Sequence, residues 1–66
     1  MNLTLRQAII ERVKNKTEEE LIEVIQGSVD NDERALPGLG VLFEIIWNNS
    51  KEATQRELVA TLQQHL

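Results

Sequence analysis

The stretch Pro37-Gly38-Leu39-Gly40-Val41-Leu42-Phe43-Glu44-Ile45-Ile46-Trp47-Asn48 limits what this chain can fold into more than any other. Leu39, Val41, Leu42, Phe43, Ile45, Ile46 and Trp47 are large and apolar, Pro37 adds to them, and Glu44 is the single charge. Wound as a helix, these side chains point in nearly every direction, so the segment demands cover on most sides. At 1.5 Å per residue it would be about 18 Å long, too short for the ~30 Å hydrocarbon core of a bilayer. A buried strand has the same apolar signature, but a lone strand cannot satisfy its own backbone N–H and C=O groups, which favours the helix. The segment is then either the central helix of a bundle or a helix with one face against another chain.

Helix starts are the best-marked features elsewhere. Three Asn-x-Ser/Thr triplets occur, at Asn2-Leu3-Thr4, Asn15-Lys16-Thr17 and Asn48-Asn49-Ser50. They would be glycosylation acceptors in a secreted protein, but Met1-Asn2-Leu3-Thr4-Leu5-Arg6 has no basic start leading into an apolar stretch, so an intracellular location is expected. Each triplet instead ends on a hydroxyl able to accept a hydrogen bond from a helix-opening N–H. Thr4 with Gln7, and Thr17 with Glu20, have the spacing of reciprocal capping boxes.

From these starts, Leu5, Ala8, Ile9 and Val13 recur at helical spacing, as do Leu21, Ile22, Val24, Ile25 and Val29. Beyond Ser50 the series is Ala53, Leu58, Val59, Leu62 and Leu66. The pattern predicts helices over about 5–15, 18–29, 38–48 and 51–64, joined by short links into a compact all-α bundle occupying residues 1–66 as one domain. Residues 30–37 read as the one long polar connector, with Pro37 disfavouring helix at Leu36 and suiting the first turn of the next helix. Gly27 inside the second helix suggests close approach by a neighbouring helix, the alternative being an early, frayed end.

Charge is unevenly placed. Residues 1–16 carry Arg6, Arg12, Lys14 and Lys16 against Glu11, a net +3. Residues 17–33 carry Glu18, Glu19, Glu20, Glu23, Asp30, Asp32 and Glu33, a net −7, and residues 34–66 balance to zero, leaving −4 overall. The four cations of the first segment are the basis of a nucleic-acid alternative, but no aromatic residue is interleaved among them for base stacking. The simpler expectation is that Lys14 and Lys16 close the negative end of the first helix while Glu18, Glu19 and Glu20 open the positive end of the second.

Catalytic and ligand-binding chemistry finds little support. With no cysteine, disulfides, thiolate catalysis and cysteine-held metals are excluded. Asp30-x-Asp32 matches the start of a calcium loop, but its sixth position is Ala35 rather than Gly and its twelfth is Val41 rather than Glu. Gly38-x-Gly40 lacks the preceding strand, third glycine and Gly-Lys-Ser/Thr of a phosphate loop; these glycines are expected to let a helix start pack closely on a neighbour. His65, the only histidine, lies next to the terminus, where no rigid surroundings could hold a ligand or base. Glu18, Glu19 and Glu20 diverge by about 100° per residue on a helix. Glu44 is expected to face solvent or to pair with a basic residue of another helix or subunit. The expectations are therefore no catalytic residue, no cofactor, no metal, no small-molecule substrate and no enzyme activity. Phe43 and Trp47, four residues apart, form an aromatic pair on one helical face, buried either in the core or between copies. Since a chain of this size hides only about 60% of its unfolded surface on folding, its stability margin is thin and a partner could decide it.

The block Leu36-Pro37-Gly38-Leu39-Gly40-Val41-Leu42-Phe43-Glu44-Ile45-Ile46-Trp47-Asn48, with the opening Met1-Asn2-Leu3-Thr4-Leu5-Arg6-Gln7-Ala8-Ile9-Ile10, closely resembles the small acid-soluble spore protein I family, a minor class in endospore-forming bacteria. The length matches nearly end to end, and the departures lie in the Glu18-Glu19-Glu20 run and beyond Ser50. The resemblance implies synthesis in the developing forespore, deposition in the spore core and a role in sporulation. It does not imply the DNA coating of the abundant α/β-type spore proteins, whose pattern is absent, and the net acidity agrees. No membrane association is expected. The favoured partner is a second copy or an unidentified spore-core protein, met through Leu39, Leu42, Phe43, Ile46 and Trp47; the alternative is a nucleic-acid-associated spore protein using Arg6, Arg12, Lys14 and Lys16.

Overall fold

The two capping boxes open the first two helices as their spacing predicts. In a computed structural model that describes residues 4–66, the Thr4 hydroxyl accepts from the Gln7 backbone N–H at 3.1 Å, and Thr4 N–H donates to Gln7 Oε1 at 2.9 Å. Thr17 and Glu20 repeat the exchange at 3.2 and 2.9 Å. The helices they start are α1, Leu5–Val13, and α2, Glu18–Ser28, whose first turn carries Glu18, Glu19 and Glu20. They are followed by α3, Leu36–Asn48, and α4, Glu52–Gln64, with a 3-10 turn, Glu33–Ala35, leading into α3. The small all-α fold is therefore as expected, with no strand among the described residues.

Several boundaries differ for identifiable reasons. α1 ends at Val13 rather than near residue 15 because Asn15 takes a left-handed conformation (φ 68°), one that asparagine tolerates and that stops a helix. Lys16 thus falls outside α1, Arg12 is the basic residue of its last turn, and Lys14 Nζ turns 2.6 Å from Glu11. α2 stops at Ser28, one residue before the expected end, with Asp30 left-handed beyond it (φ 57°). α3 starts at Leu36, before Pro37, because the preceding turn delivers the chain already wound. Asp32 caps that turn, its Oδ1 accepting from Arg34 N–H at 2.8 Å. Leu36 then enters at φ −60°, ψ −43°, and Pro37 sits in the first turn, where its missing N–H leaves no gap. The connector accordingly shrinks to residues 29–32.

Ser50 does not cap α4. The N-cap is Lys51, with no side-chain hydrogen bond, and Ser50 instead donates back to Ile46 O while Asn49 Nδ2 donates to Ile45 O at 2.8 Å. A three-residue link leaves these polar groups closer to the orphan carbonyls ending α3 than to the amides opening α4. The glycines also correct the sequence reading. A Cβ built at Gly27, Gly38 or Gly40 would meet nothing within 4 Å, so among the described residues no other helix packs closely at any of them.

Helices α1 and α2 both lie against α3, where Val41, 6% exposed, is the one buried apolar residue among those described. Ile9 and Val13 of α1, Val24 of α2 and Leu42 of α3 are half-buried and line the groove between the three helices. α4 leaves the end of α3 and is tied to it where Gln55 Nε2 donates to Trp47 O at 2.8 Å. The molecule measures 40 × 27 × 24 Å.

Candidate functional site

On α3, residues 36, 40, 43 and 47 share one face by helical spacing, with Val41 turned about 100° from Gly40 toward the other helices. Leu36 is 59% exposed, Phe43 49% and Ile46 44%. Trp47 is half-buried, its ring 5.8 Å from that of Phe43 and tilted 37° to it. On α4, Val59 and Leu62 border the same notch as Phe43 and Trp47 and are themselves exposed. An apolar band thus runs along α3 and onto α4 without full cover from the other described residues.

Of the five residues expected at an interface, Phe43, Ile46 and Trp47 fall in or beside this band and Leu39 is half-buried beside it. Leu42 turns instead into the groove between α1, α2 and α3, together with Ile9, Val13 and Val24. Leu36, Val59 and Leu62 belong to the band although sequence reasoning did not select them. The seven-residue step from Leu36 to Phe43 carried the signal, but placing Leu36 in a connector hid it.

A model of the family described as small, acid-soluble spore protein I matches residues 3–66. The chain belongs to the small acid-soluble spore protein I family. A member from Geobacillus sp. (strain WCH70) is 45% identical over 65 residues, covering 97% of this chain and 92% of its own length. One from Bacillus licheniformis is 43% identical over 67 residues, with 100% and 96% coverage. A third, from Bacillus cereus (strain AH187), is 42% identical, with 100% and 97% coverage. No solved structure matches the chain. Membership makes this a spore protein.

In this small acid-soluble spore protein, Glu44 is held by a basic residue of another helix of the same chain. Arg6 Nε and one terminal guanidinium nitrogen donate to its two carboxylate oxygens at 2.8 and 2.9 Å, joining α1 to α3. The hydrogen bond from Arg6 holds the Glu44 carboxyl below the usual carboxylate range, and the same pairing raises Arg6. Glu20 is likewise lowered, chiefly by the backbone hydrogen bond of its capping box, and Asp32 by its hydrogen bonds from Arg34. These carboxylates serve helix ends and one interhelical tie. Of the four cations in the basic segment, Arg6 is engaged by Glu44 and Lys14 by Glu11, while Arg12 and Lys16 border the α1–α2–α3 groove. His65 Nδ1 lies 2.8 Å from Thr61 O at the end of α4. Among the described residues no three His, Asp or Glu side chains gather where a metal ion could sit, and no helix is long and apolar enough to cross a membrane.

Proposed function

We propose that this spore protein is a non-enzymatic component of the spore core, deposited in the developing forespore, that acts by associating with another protein chain, in the first instance a second copy of itself. The observation that carries this reading is the apolar band on α3 and α4. A helix apolar on nearly all sides has only Val41 fully covered, while Leu36, Phe43 and Ile46 face outward. Scattered exposed apolar residues are ordinary, whereas a contiguous band on a 66-residue chain supports the reading that this face meets another chain. Tryptophan, set here beside phenylalanine, is among the residues most enriched at the energetic centre of such surfaces.

Sedimentation equilibrium from low micromolar to millimolar concentration tests the self-association: a mass rising toward twice 7.6 kDa supports it, and a strict monomer throughout refutes it. Binding to nucleic acid is not expected, since Arg6 and Lys14 are engaged within the chain, and a gel-shift titration at low salt should show no complex. Immunodetection in fractionated spores should find the protein in the core; detection confined to the coat would contradict the proposed location.

A further inference from the structure

The chain exposes more surface than its mass calls for. A folded monomer of 7.6 kDa presents on the order of 4,300 Å² by the usual scaling of surface with mass. This chain presents 5957 Å², an excess of roughly 1,700 Å². A stable complex removes about 800 Å² per partner, and obligate homodimers about 1,000 to 2,500 Å² per partner. The excess falls within that range.

We propose that a second copy of this chain lies antiparallel on α3 about a two-fold axis, with Phe43 of each copy filling the open space over Gly40 of the other. This inference rests on the self-association proposed above and adds its geometry. Leu36, Gly40, Phe43 and Trp47 are separated by four, three and four residues, a spacing that reads the same in both directions. An antiparallel copy in register therefore sets Leu36 against Trp47 and Gly40 against Phe43, the self-complementarity a two-fold interface requires. Gly40 is exposed, with nothing within 4 Å of a Cβ built there. The recess beside it is open to solvent, has a volume of about 370 Å³, and is walled by Leu5, Pro37 and Val41 together with the paired Arg6 and Glu44. A phenyl ring placed there would lie against Leu5, Pro37 and Val41 with its edge beside the Arg6–Glu44 pair. Leu36 of the second copy then meets Trp47 at the edge of the notch lined by Phe43, Val59 and Leu62.

Charge favours a copy over a charged partner. Glu44, the only charge of α3, is neutralised by Arg6, and residues 34–66 sum to zero. The net −7 of residues 17–33 is carried by α2 and its flanking turns, so two copies can meet along α3 without burying unpaired charge.

Sedimentation equilibrium on the full-length protein and on Gly40→Leu, Phe43→Ala and the double variant tests the register, with circular dichroism confirming that each remains helical. Gly40→Leu puts a side chain where the other copy's Phe43 would sit, and Phe43→Ala withdraws that ring. Each should weaken the dimer by roughly tenfold or more, as overfilling or emptying a packed contact does. In the double variant, the leucine side chain introduced on one copy occupies the space vacated by the phenyl ring of the other, and most of the loss is recovered. Dimerisation as tight in Gly40→Leu as in the wild type, or a double variant no better than the weaker single, would overturn this register while leaving self-association standing. A wild type that stays monomeric at millimolar concentration would overturn both.

Discussion

Helices α2 and α3 differ by two residues in length and are specified in opposite ways. α2 carries its own instructions: a hydroxyl cap with a reciprocal glutamate, three acids in the first turn, and Leu21, Val24 and Ile25 half-buried on one face with glutamates outside. α3 has no side-chain cap and two internal glycines, and is apolar almost all round. Its start is inherited from the 3-10 turn that Asp32 caps, and its helical state depends on what covers it. α1 and α2 cover the part around Val41, and the remainder leaves Leu36, Phe43, Ile45 and Ile46 exposed to solvent. Local hydrogen-bonding signals decide where a helix begins; the apolar surplus decides whether it needs company.

If α3 is specified by burial, the most damaging change should lie at Val41. Val41→Asp puts an unpaired carboxylate at the one buried apolar position of the described chain and should cost more than about 4 kcal/mol, enough to abolish cooperative unfolding followed by circular dichroism. Retention of a cooperative transition at neutral pH would mean that α3 does not hold the core together.

A smaller effect separates true caps from apparent ones. Thr17→Ala should lower stability by about 1 kcal/mol, because the hydroxyl satisfies the Glu20 amide at the start of α2. Ser50→Ala removes only a hydroxyl that returns to Ile46 O within the last turn of α3 and should change stability by less than about 0.5 kcal/mol. Equal losses in chemical denaturation would break the distinction between the two helices.

The smallest expected effect is on acid stability, because the groups involved are solvated. Glu20, Asp32 and Glu44 are all held below their ordinary values of 4.5, 3.8 and 4.5. A carboxylate lowered on folding contributes stability that is fully present above its unfolded-state value and is lost as pH falls through the folded one. Stability should therefore be level above about pH 5 and decline as pH drops below about 4.5. Glu44→Gln should shallow that decline by removing the Arg6–Glu44 contribution, and an unchanged pH profile would show that this pair does not tie α1 to α3.

The same contrast explains what could be read from residues alone. Thr4, Thr17, Gln7 and Glu20 state the starts of α1 and α2 openly, since a capping box is a local arrangement of four residues. The all-α architecture and the family were equally readable, the latter from the apolar block itself. Leu36 was misplaced because the rule disfavouring helix before proline was overridden by a turn already wound through residues 33–35. Ser50 misled because its spacing is compatible with either helix end, and only the short link decides which one it serves. The glycines suggested close approach, and among the described residues no other helix comes within 4 Å of a Cβ built on any of them. Val59 and Leu62 were recognisable as one face of a helix, but that this face continues the band of Phe43 and Trp47 depends on how α4 leaves α3.

The central claim is that the outward side of α3 is covered by a second copy, and isotope-filtered NMR on a mixture of labelled and unlabelled chains tests it most directly. Cross-peaks between the Phe43 ring of one copy and the Gly40 Hα protons of the other, fading as the sample is diluted, are the expected result. A concentration-independent spectrum in which every Phe43 contact arises within its own chain would contradict it.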